Sequence, residues 1–570
     1  MSDLGLERQK TVNSIGSNID RAVTVLSVKQ DEQTIKEYQD KIYASAKPNF
    51  SSKAIKNYII TRFTDLKPSK ETIEANKRLL NPLPGLRQIG RQQWCMILVA
   101  FWSWSWDAYD FFTISLSVTQ LAKDLDQDVK NITWGITLVL MLRSVGALIF
   151  GYLGDRYGRR GPLAINMFLV CILKIGTGFV KTYPQFLGVR ALFGILLGGV
   201  YGNATALALD DCPVDARGII SGFVQQGYAF GYLLAVVFKR AIGDNTHYHW
   251  KAMYWFGAGI CFLIVVAILL LPDTKAYQRQ KEINRFNKEH NIQQLSFGQK
   301  AVRAWKSYWL MIIYMVLLMS GFNFMSHGSQ DLYPTLLTVR YDFSNDRSTV
   351  TNCVANLGAF AGGIFVGHMS NFTGRRLSIM ACCVVGGALI YPWAFVSTSA
   401  INAGAFFLQF CVQGAWGVIP VHLSELSPPS FRSFVVGVSY QLGNLVSSAS
   451  STIETTIGER FPMISPSGES IYDYAKVMAI FMGAVFAFVL LVTFVGPENM
   501  NASFEMVEGY DDDQDLQRML TDEMQKVDVH HDEEADPNGS LRGESDEKPV
   551  IAAEAEVRGG SSESASNSKL

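Results

Sequence analysis

Neither sign of charge prevails in this chain. Lys and Arg total 50 against 51 Asp and Glu over 570 residues, a formal net charge of -1, so the strongly basic face that binds nucleic acid is missing. Metal-ligand spacing is missing too: of eight cysteines, Cys171, Cys261, Cys382, Cys383 and Cys411 sit inside apolar runs and read as small apolar residues. There is no phosphate-cradling P-loop, which leaves ATP-driven work without support. The polar N-terminal stretch holds no apolar core of the kind a cleavable signal requires. Charge is scarce overall, 18% of residues against 48% hydrophobic, and it is segregated into two long ends and short loops. Such segregation marks a polytopic membrane chain with polar tails.

Runs of about 20 apolar residues, the length a helix needs to cross a bilayer, occur twelve times. They lie near 94–117, 132–153, 161–181, 185–209, 218–241, 251–272, 307–334, 348–369, 377–397, 401–424, 433–455 and 475–496. The expected architecture is therefore an all-α polytopic membrane protein with two pseudo-symmetric six-helix bundles, at 93–273 and 307–498. A tail at 1–92, a central loop at 274–306 and an acidic tail at 499–570 complete it, both tails mostly disordered. With the N-terminus inside, the basic loops DRYGRR, KAYQRQKEINRFNKEH and GRR all fall on the cytoplasmic side and the acid-rich 119–131 on the other, so the positive-inside rule places both termini in the cytoplasm.

The two halves repeat. GYLGDRYGRR at 151–160 returns as GHMSNFTGRR at 367–376; Asp210, Pro213 and Arg217 return as Glu425, Pro428 and Arg432, and Gly222 and Gln226 as Gly437 and Gln441. Internal symmetry of membrane segments marks secondary transporters, whose halves rock around a midplane site. Gly151 and Gly154 let helices approach closely, Gly158 permits a tight turn, and Asp155 can hold Arg159 or Arg160 or cap the adjoining helix. The pattern resembles the signature loop between the second and third helices of the major facilitator superfamily. That resemblance implies a gate latch, engaged in the outward-open state and carried by Asp155, Arg156, Arg159 and Arg160, with Arg375 and Arg376 in the second copy. Asn371 replaces the acid there, so the second latch is expected to be weaker. A charged loop that only sets topology is the plainer alternative.

In the seventh span, NFMSHGSQDLYPT at 323–335 places Asn323, His327 and Asp331 at i, i+4 and i+8, with Ser326 and Gln330 beside them, as one polar stripe. An Asp near the bilayer centre costs roughly 2.5–3.5 kcal/mol, so the stripe should face the bundle interior or a water-filled path, as a transport surface or as a network that ties helices together. Pro334 leaves the Gln330 carbonyl without its helical donor, which suits a bent helix at a gate. The segment resembles the motif N-x-x-(S/T)-H-x-(S/T)-Q-D-x-x-x-T of the fungal Jen-type carboxylate/proton symporters, within the sialate:proton symporter family. Asn323, Ser326, His327, Ser329, Gln330, Asp331 and Thr335 fill every fixed position. The likeness extends through LMLRSVGA around Arg143, QGAWGVIPVHLSELSP at 413–428 and SYQLGNLVSSASSTIET at 439–455. It implies uptake of short-chain carboxylates with protons across the fungal plasma membrane, driven by the proton gradient without a cofactor; a porter of another organic anion such as sialate is an alternative.

Arg143 offers a planar, always-charged guanidinium for a substrate carboxylate, or else for a structural ion pair with Asp107 or Asp110, at similar depth in the first span. His327 is the natural proton carrier, with an ordinary pKa of about 6.5; Asp331, Asp107 and Asp110 compete with it. Gln225 and Gln441, with Asn323 and Gln330, are candidate substrate ligands, although amides also tie helices together. Where lactate-type relatives look aromatic this chain has Gln225, and their first helix lacks acids matching Asp107 and Asp110. A dicarboxylate such as succinate or malate is thus favoured over lactate, pyruvate or acetate. Lys174 is expected to snorkel to the nearby membrane face; Arg190, with Gly194 and Gly198, serves close packing or a proton role. Asn131-Ile-Thr is a sequon too close to the membrane for expected glycosylation. In the tails, Lys10 and Ser14 are among residues that could take ubiquitin or phosphate, which makes ubiquitin-ligase and arrestin machinery candidate partners. No catalytic constellation is present and no enzyme activity is expected. The competing class is a nutrient receptor that signals through its long tails.

Overall fold

In a bilayer every backbone N–H and C=O must be satisfied inside the spanning segment, and the helix does this with local hydrogen bonds alone. The apolar runs fold accordingly in the computed structural model, which describes residues 47–64, 66, 77–278, 281, 285, 297–428, 431–464 and 470–500. Lys10, Ser14 and the acidic tail beyond 500 lie outside the described residues.

The helices of the first half are α1 (Ser52–Thr64), α2 (Leu83–Gln88), α3 (Arg91–Asp124), α4 (Val129–Tyr157), α5 (Arg160–Thr177), α6 (Tyr183–Gly198), α7 (Val200–Leu209), α8 (Val214–Gln225), α9 (Gly227–Phe238) and α10 (Trp250–Leu270). The second half contains α11 (Phe297–Gln330), α12 (Tyr333–Thr335), α13 (Asn345–Thr373), α14 (Arg375–Ala388), α15 (Ile390–Ala394), α16 (Ile401–Leu426), α17 (Arg432–Ser447), α18 (Ser450–Gly458) and α19 (Tyr474–Val495). Among the described residues nine helical stretches are long and apolar enough to cross a membrane. The other three expected spans are helical as well but miss that measure for visible reasons. α3 carries Asp107 and Asp110 among Trp and Ser, α14 breaks at Leu389, and α17 ends after 16 residues.

Exposure is inverted relative to a water-soluble protein. Leu148, Ile165, Phe262, Leu263, Leu270 and Leu491 lie on the outside, while Arg143, Lys174, Arg190, Arg375 and Arg376 are fully buried. An apolar exterior is what lipid accepts, and interior charges survive only with partners. The halves meet where α4 packs on α17 and α8 packs on α13 and α16. Gly151 permits the first of these contacts, since a Cβ there would come within 2.8 Å of the Phe434 Cα. Gly158 and Gly374, at φ 91° and 90°, make the same turn in the two signature loops.

Three features depart from the expected layout. Part of the stretch expected as a disordered tail is helix α1, because its Tyr58 hydroxyl donates to the Val495 carbonyl at 2.8 Å and Phe63 packs edge-on against Phe494. α11 begins at Phe297, inside the expected central loop. Within the all-α expectation there is also one antiparallel pair of short strands, β1 (Pro462–Ile464) and β2 (Ser470–Tyr472), in register Met463↔Ile471, between α18 and α19.

Candidate functional site

Arg143 projects from the middle of α4 toward α3. Its two terminal nitrogens donate to the two Asp107 oxygens at 3.1 and 3.3 Å, and both side chains are buried. A planar fork meets a planar carboxylate here, the bidentate geometry that lysine cannot reproduce. The Arg143 Nε–H has no hydrogen-bond partner among the described residues, so the guanidinium keeps an unspent donor.

Around Arg143 a small recess of about 30 Å³, room for roughly one water, is lined by Gln225, Asn323, His327, Gln330 and Asp331, all named from the sequence. Phe111, Phe112, Leu140, Tyr228, Ser326, Gln413, Trp416, Tyr440 and Asn444 complete it. The recess opens into a cavity of about 650 Å³ that runs toward Ser115, Thr137, Pro334, Asn356 and Ser450. Loss of the Pro334 donor lets α11 end at Gln330 and a short irregular helical turn follow, so Gln330 and Asp331 stand at the cavity wall. His327 Nδ1 lies 3.1 Å from Asp331 Oδ2 and its Nε2 3.5 Å from Asn444 Oδ1. Gln330 donates to Gln409 at 3.3 Å, and the Tyr201 hydroxyl donates to Gln225 at 3.3 Å. Tyr440 of the recess lining stacks on Tyr201, their rings 4.1 Å apart and flanked by Trp104 and Trp416.

Two residues expected in the site stand apart from it. Gln441 lies outside the recess lining; its side chain accepts from Asn444 at 3.4 Å and its backbone carbonyl accepts from Ser144. Asp110 is turned from the recess to Lys174, 2.9 Å away. The expectation that Lys174 snorkels is thus overturned: it is fully buried, paired with Asp110 and placed over the Trp106 and Tyr109 rings. Arg190 lies 4.1 Å from the Phe193 ring, and its Nε and Nη2 lack hydrogen-bond partners among the described residues. Asn444, Gln409 and the aromatic lining were missed by sequence reasoning. Asn444 gave a signal, one turn beyond Gln441; the aromatics gave none in so aromatic a chain.

At the other end of α4 from the cavity-lining Thr137, the signature-loop residues are tied into buried ion pairs and hydrogen bonds. Asp155 accepts from Arg159 at 2.6 Å and from the backbone N–H groups of Ser433 and Phe434 at 3.2 and 2.8 Å, across the repeat. Asp210 accepts from Arg159 at 3.1 Å and from Arg432 at 2.6 Å. Burial alone would push the Asp210 carboxyl up, but the two guanidiniums outweigh it and hold it below the usual range. Asp273, which accepts from the Arg159 backbone, is pushed up by its burial. Arg160 donates to the carbonyls of Ile268 and Leu269, and exposed Arg156 to the Tyr152 hydroxyl, so these two do not bridge the halves. In the second copy Arg375 meets both Glu425 oxygens at 3.0 Å and donates to Asn371 at 2.8 Å, while Asn371 donates to the Asp215 carbonyl at 3.0 Å. Arg376 donates to the Thr493 and Phe494 carbonyls.

Two repeated helical halves with a buried guanidinium facing a polar cavity between them belong to a membrane transporter of the major facilitator type. Residues 94–509 match the sugar (and other) transporter family, and the chain belongs to it. It is 41% identical over 470 residues to the carboxylic acid transporter protein homolog of Saccharomyces cerevisiae, covering 80% of this chain and 76% of that protein. It is 23% identical over 385 residues to the sialic acid transporter NanX of Escherichia coli, covering 65% and 89%. Among solved structures it is similar in fold to the proton:xylose symporter XylE, at TM-score 0.58 and 16% identity over 73% of this chain and 98% of that one. The family and these relatives are transporters, and the chain is one rather than an enzyme.

Proposed function

We propose that the chain is a proton-coupled porter that takes short-chain carboxylates inward across the plasma membrane, with both termini cytoplasmic. One observation carries this reading. Arg143, at the floor of the open cavity, already grips a carboxylate in bidentate fashion, and that carboxylate is the protein's own Asp107. A substrate carboxylate competes for the same fork. When it takes Arg143, Asp107 is left buried without its partner, at a cost of several kcal/mol as an anion, so it binds a proton. After substrate leaves, Asp107 releases the proton and returns to Arg143. The exchange ties one proton to one carboxylate and keeps the low-dielectric floor neutral. His327 and Asp331, bonded to each other on the cavity wall, form a route by which the proton arrives. The carboxylic acid transporter from yeast, at 41% identity, supports the substrate class.

Gln225 favours a dicarboxylate. It offers an amide where a ring would leave the recess drier, and the amides of Gln330 and Gln409 line the cavity beyond it, within reach of a second carboxylate. The test is uptake of labelled succinate and lactate at about pH 5, where both are mainly anionic, in yeast lacking its own carboxylate permeases, with and without a protonophore. Protonophore-sensitive accumulation of succinate is expected. Accumulation of lactate alone reverses the substrate preference, and accumulation of neither, with protein at the surface, removes the proposal in favour of a receptor.

A further inference from the structure

One carboxylate stands outside every ion pair described above. Glu454, on α18, is fully buried, and neither of its oxygens has a hydrogen-bond partner among the described residues. It continues a polar face that runs along α17 and α18 through Asn444, Ser447 and Ser450. Ser447 and Ser450 line the open cavity, and the buried Ser450 hydroxyl likewise lacks a partner among the described residues.

α18 packs against α11 and α19. From the α11 side the charged group acting on Glu454 is Asp331, on the cavity wall and 3.1 Å from His327. The ionisable residues of α19 are Tyr474 and Lys476, and Lys476 is exposed and lies 4.8 Å from the Phe461 ring. Arg340, in the turn that touches α19, is engaged by Asp473, and Glu459 and Arg460 beyond α18 are exposed. No cation among these groups faces Glu454. A carboxylate removed from water without donor or cation is costly as an anion and far cheaper as the neutral acid. Asp331, at the end of the helix α18 packs on, brings a second negative charge to the same cavity side and offers no compensation.

We propose that Glu454 is a second proton-binding site of the transport cycle, loaded from the open cavity by way of Asp331 and Ser450. The proton adds to one Glu454 oxygen and leaves it again when the halves rearrange; no other bond changes. This rests on the proton-coupled reading above.

The test compares wild type with Glu454→Gln, which keeps the shape of the neutral acid, and Glu454→Asp, in yeast plasma-membrane vesicles. Two quantities are read: labelled succinate accumulation driven by an imposed pH gradient, and succinate counterflow, which needs no net proton movement. Glu454→Gln is expected to lose gradient-driven accumulation by about tenfold or more, equivalent to one pKa unit of coupling, while counterflow persists. Accumulation at the wild-type level overturns the proposal, and loss of counterflow together with accumulation overturns it in favour of a structural role. Should Glu454→Gln fail to reach the membrane, Glu454→Asp decides: a displaced pH midpoint of uptake supports the site and an unchanged profile refutes it. Wild type without gradient-driven accumulation overturns the proton-coupled reading itself, and this site with it.

Discussion

Shape more than charge distinguishes Arg143 from a lysine at the same place. Its fork satisfies both oxygens of Asp107 and retains an Nε–H for a ligand, whereas the ammonium of a lysine is a point charge that can satisfy one oxygen at a time. Arg143→Lys is expected to reach the surface and to lose uptake by about 100-fold, the roughly 3 kcal/mol that a charge-assisted hydrogen bond carries in such a setting. Uptake with normal affinity in a surface-expressed mutant would refute the assignment. Gln225→Phe should turn the preference from succinate toward lactate, read as the ratio of the two uptake rates. At this scale much of the site was legible. Arg143, Asn323, His327, Gln330 and Asp331 are polar residues in apolar helices, and the bundle interior is the one place such residues can go; the structure gathers all five at one recess. Lys174 was misread because its partner Asp110 lies on another helix, and a pairing between distant segments leaves no periodicity to read.

The two signature loops solve one problem with opposite chemistry. Asp155 accepts from the N–H groups at the start of α17, where a helix N-terminus presents unpaired donors and partial positive charge. Asn371 instead donates to the Asp215 carbonyl in the first turn of α8. An ionised carboxylate could not donate that bond, so the second loop is differently built from the first. Asp210 gives this scale a measurable consequence, since it joins the ends of three elements through Arg159 and Arg432. Its carboxyl is held below the ordinary value, so its stabilisation is present above the unfolded pKa of about 3.9 and is lost only as pH falls through the lower folded value. Purified Asp210→Asn should therefore unfold at lower temperature than wild type, by the equivalent of about 3–5 kcal/mol. The deficit should stay constant from about pH 7 to 5 and narrow below about 4. A deficit that closes already between pH 7 and 5 would contradict the depressed carboxyl. Nine of the expected spans fall on helices long and apolar enough to cross a membrane, because an apolar run of that length has one way to satisfy its backbone. The breaks at Gly199, Gln226 and Leu389 and the early start of α11 escaped, since they are set by packing between helices and not by composition.

For the whole molecule, the proposed transport cycle makes this structure one of two states, with the cavity open toward Ser115 and Pro334 and the contacts of Asp155, Arg159, Asp210 and Arg432 at the other end. In such a device a bond made in one state and broken in the other sets the balance between them. Asp155→Asn weakens two bonds from the α17 N-terminus and the pair with Arg159, all of them charge-assisted and worth about 1.5–3 kcal/mol apiece. Even about 2 kcal/mol of differential stabilisation moves a two-state ratio roughly 30-fold, so the mutant should spend far less time with the cavity open. Ser115→Cys provides the gauge, because Ser115 is exposed on the cavity wall and a thiol there reacts with a membrane-impermeant maleimide only when the mouth is open. With exposed Cys95 first replaced by serine to remove background, Asp155→Asn should slow labelling of this cysteine several-fold and make addition of succinate change the rate more than it does in the unmutated latch. Equal rates with and without Asp155 would mean that the contacts at the closed end report the state of the molecule without governing it, and control would then have to reside in the Arg143–Asp107 pair and the aromatic stack beneath it.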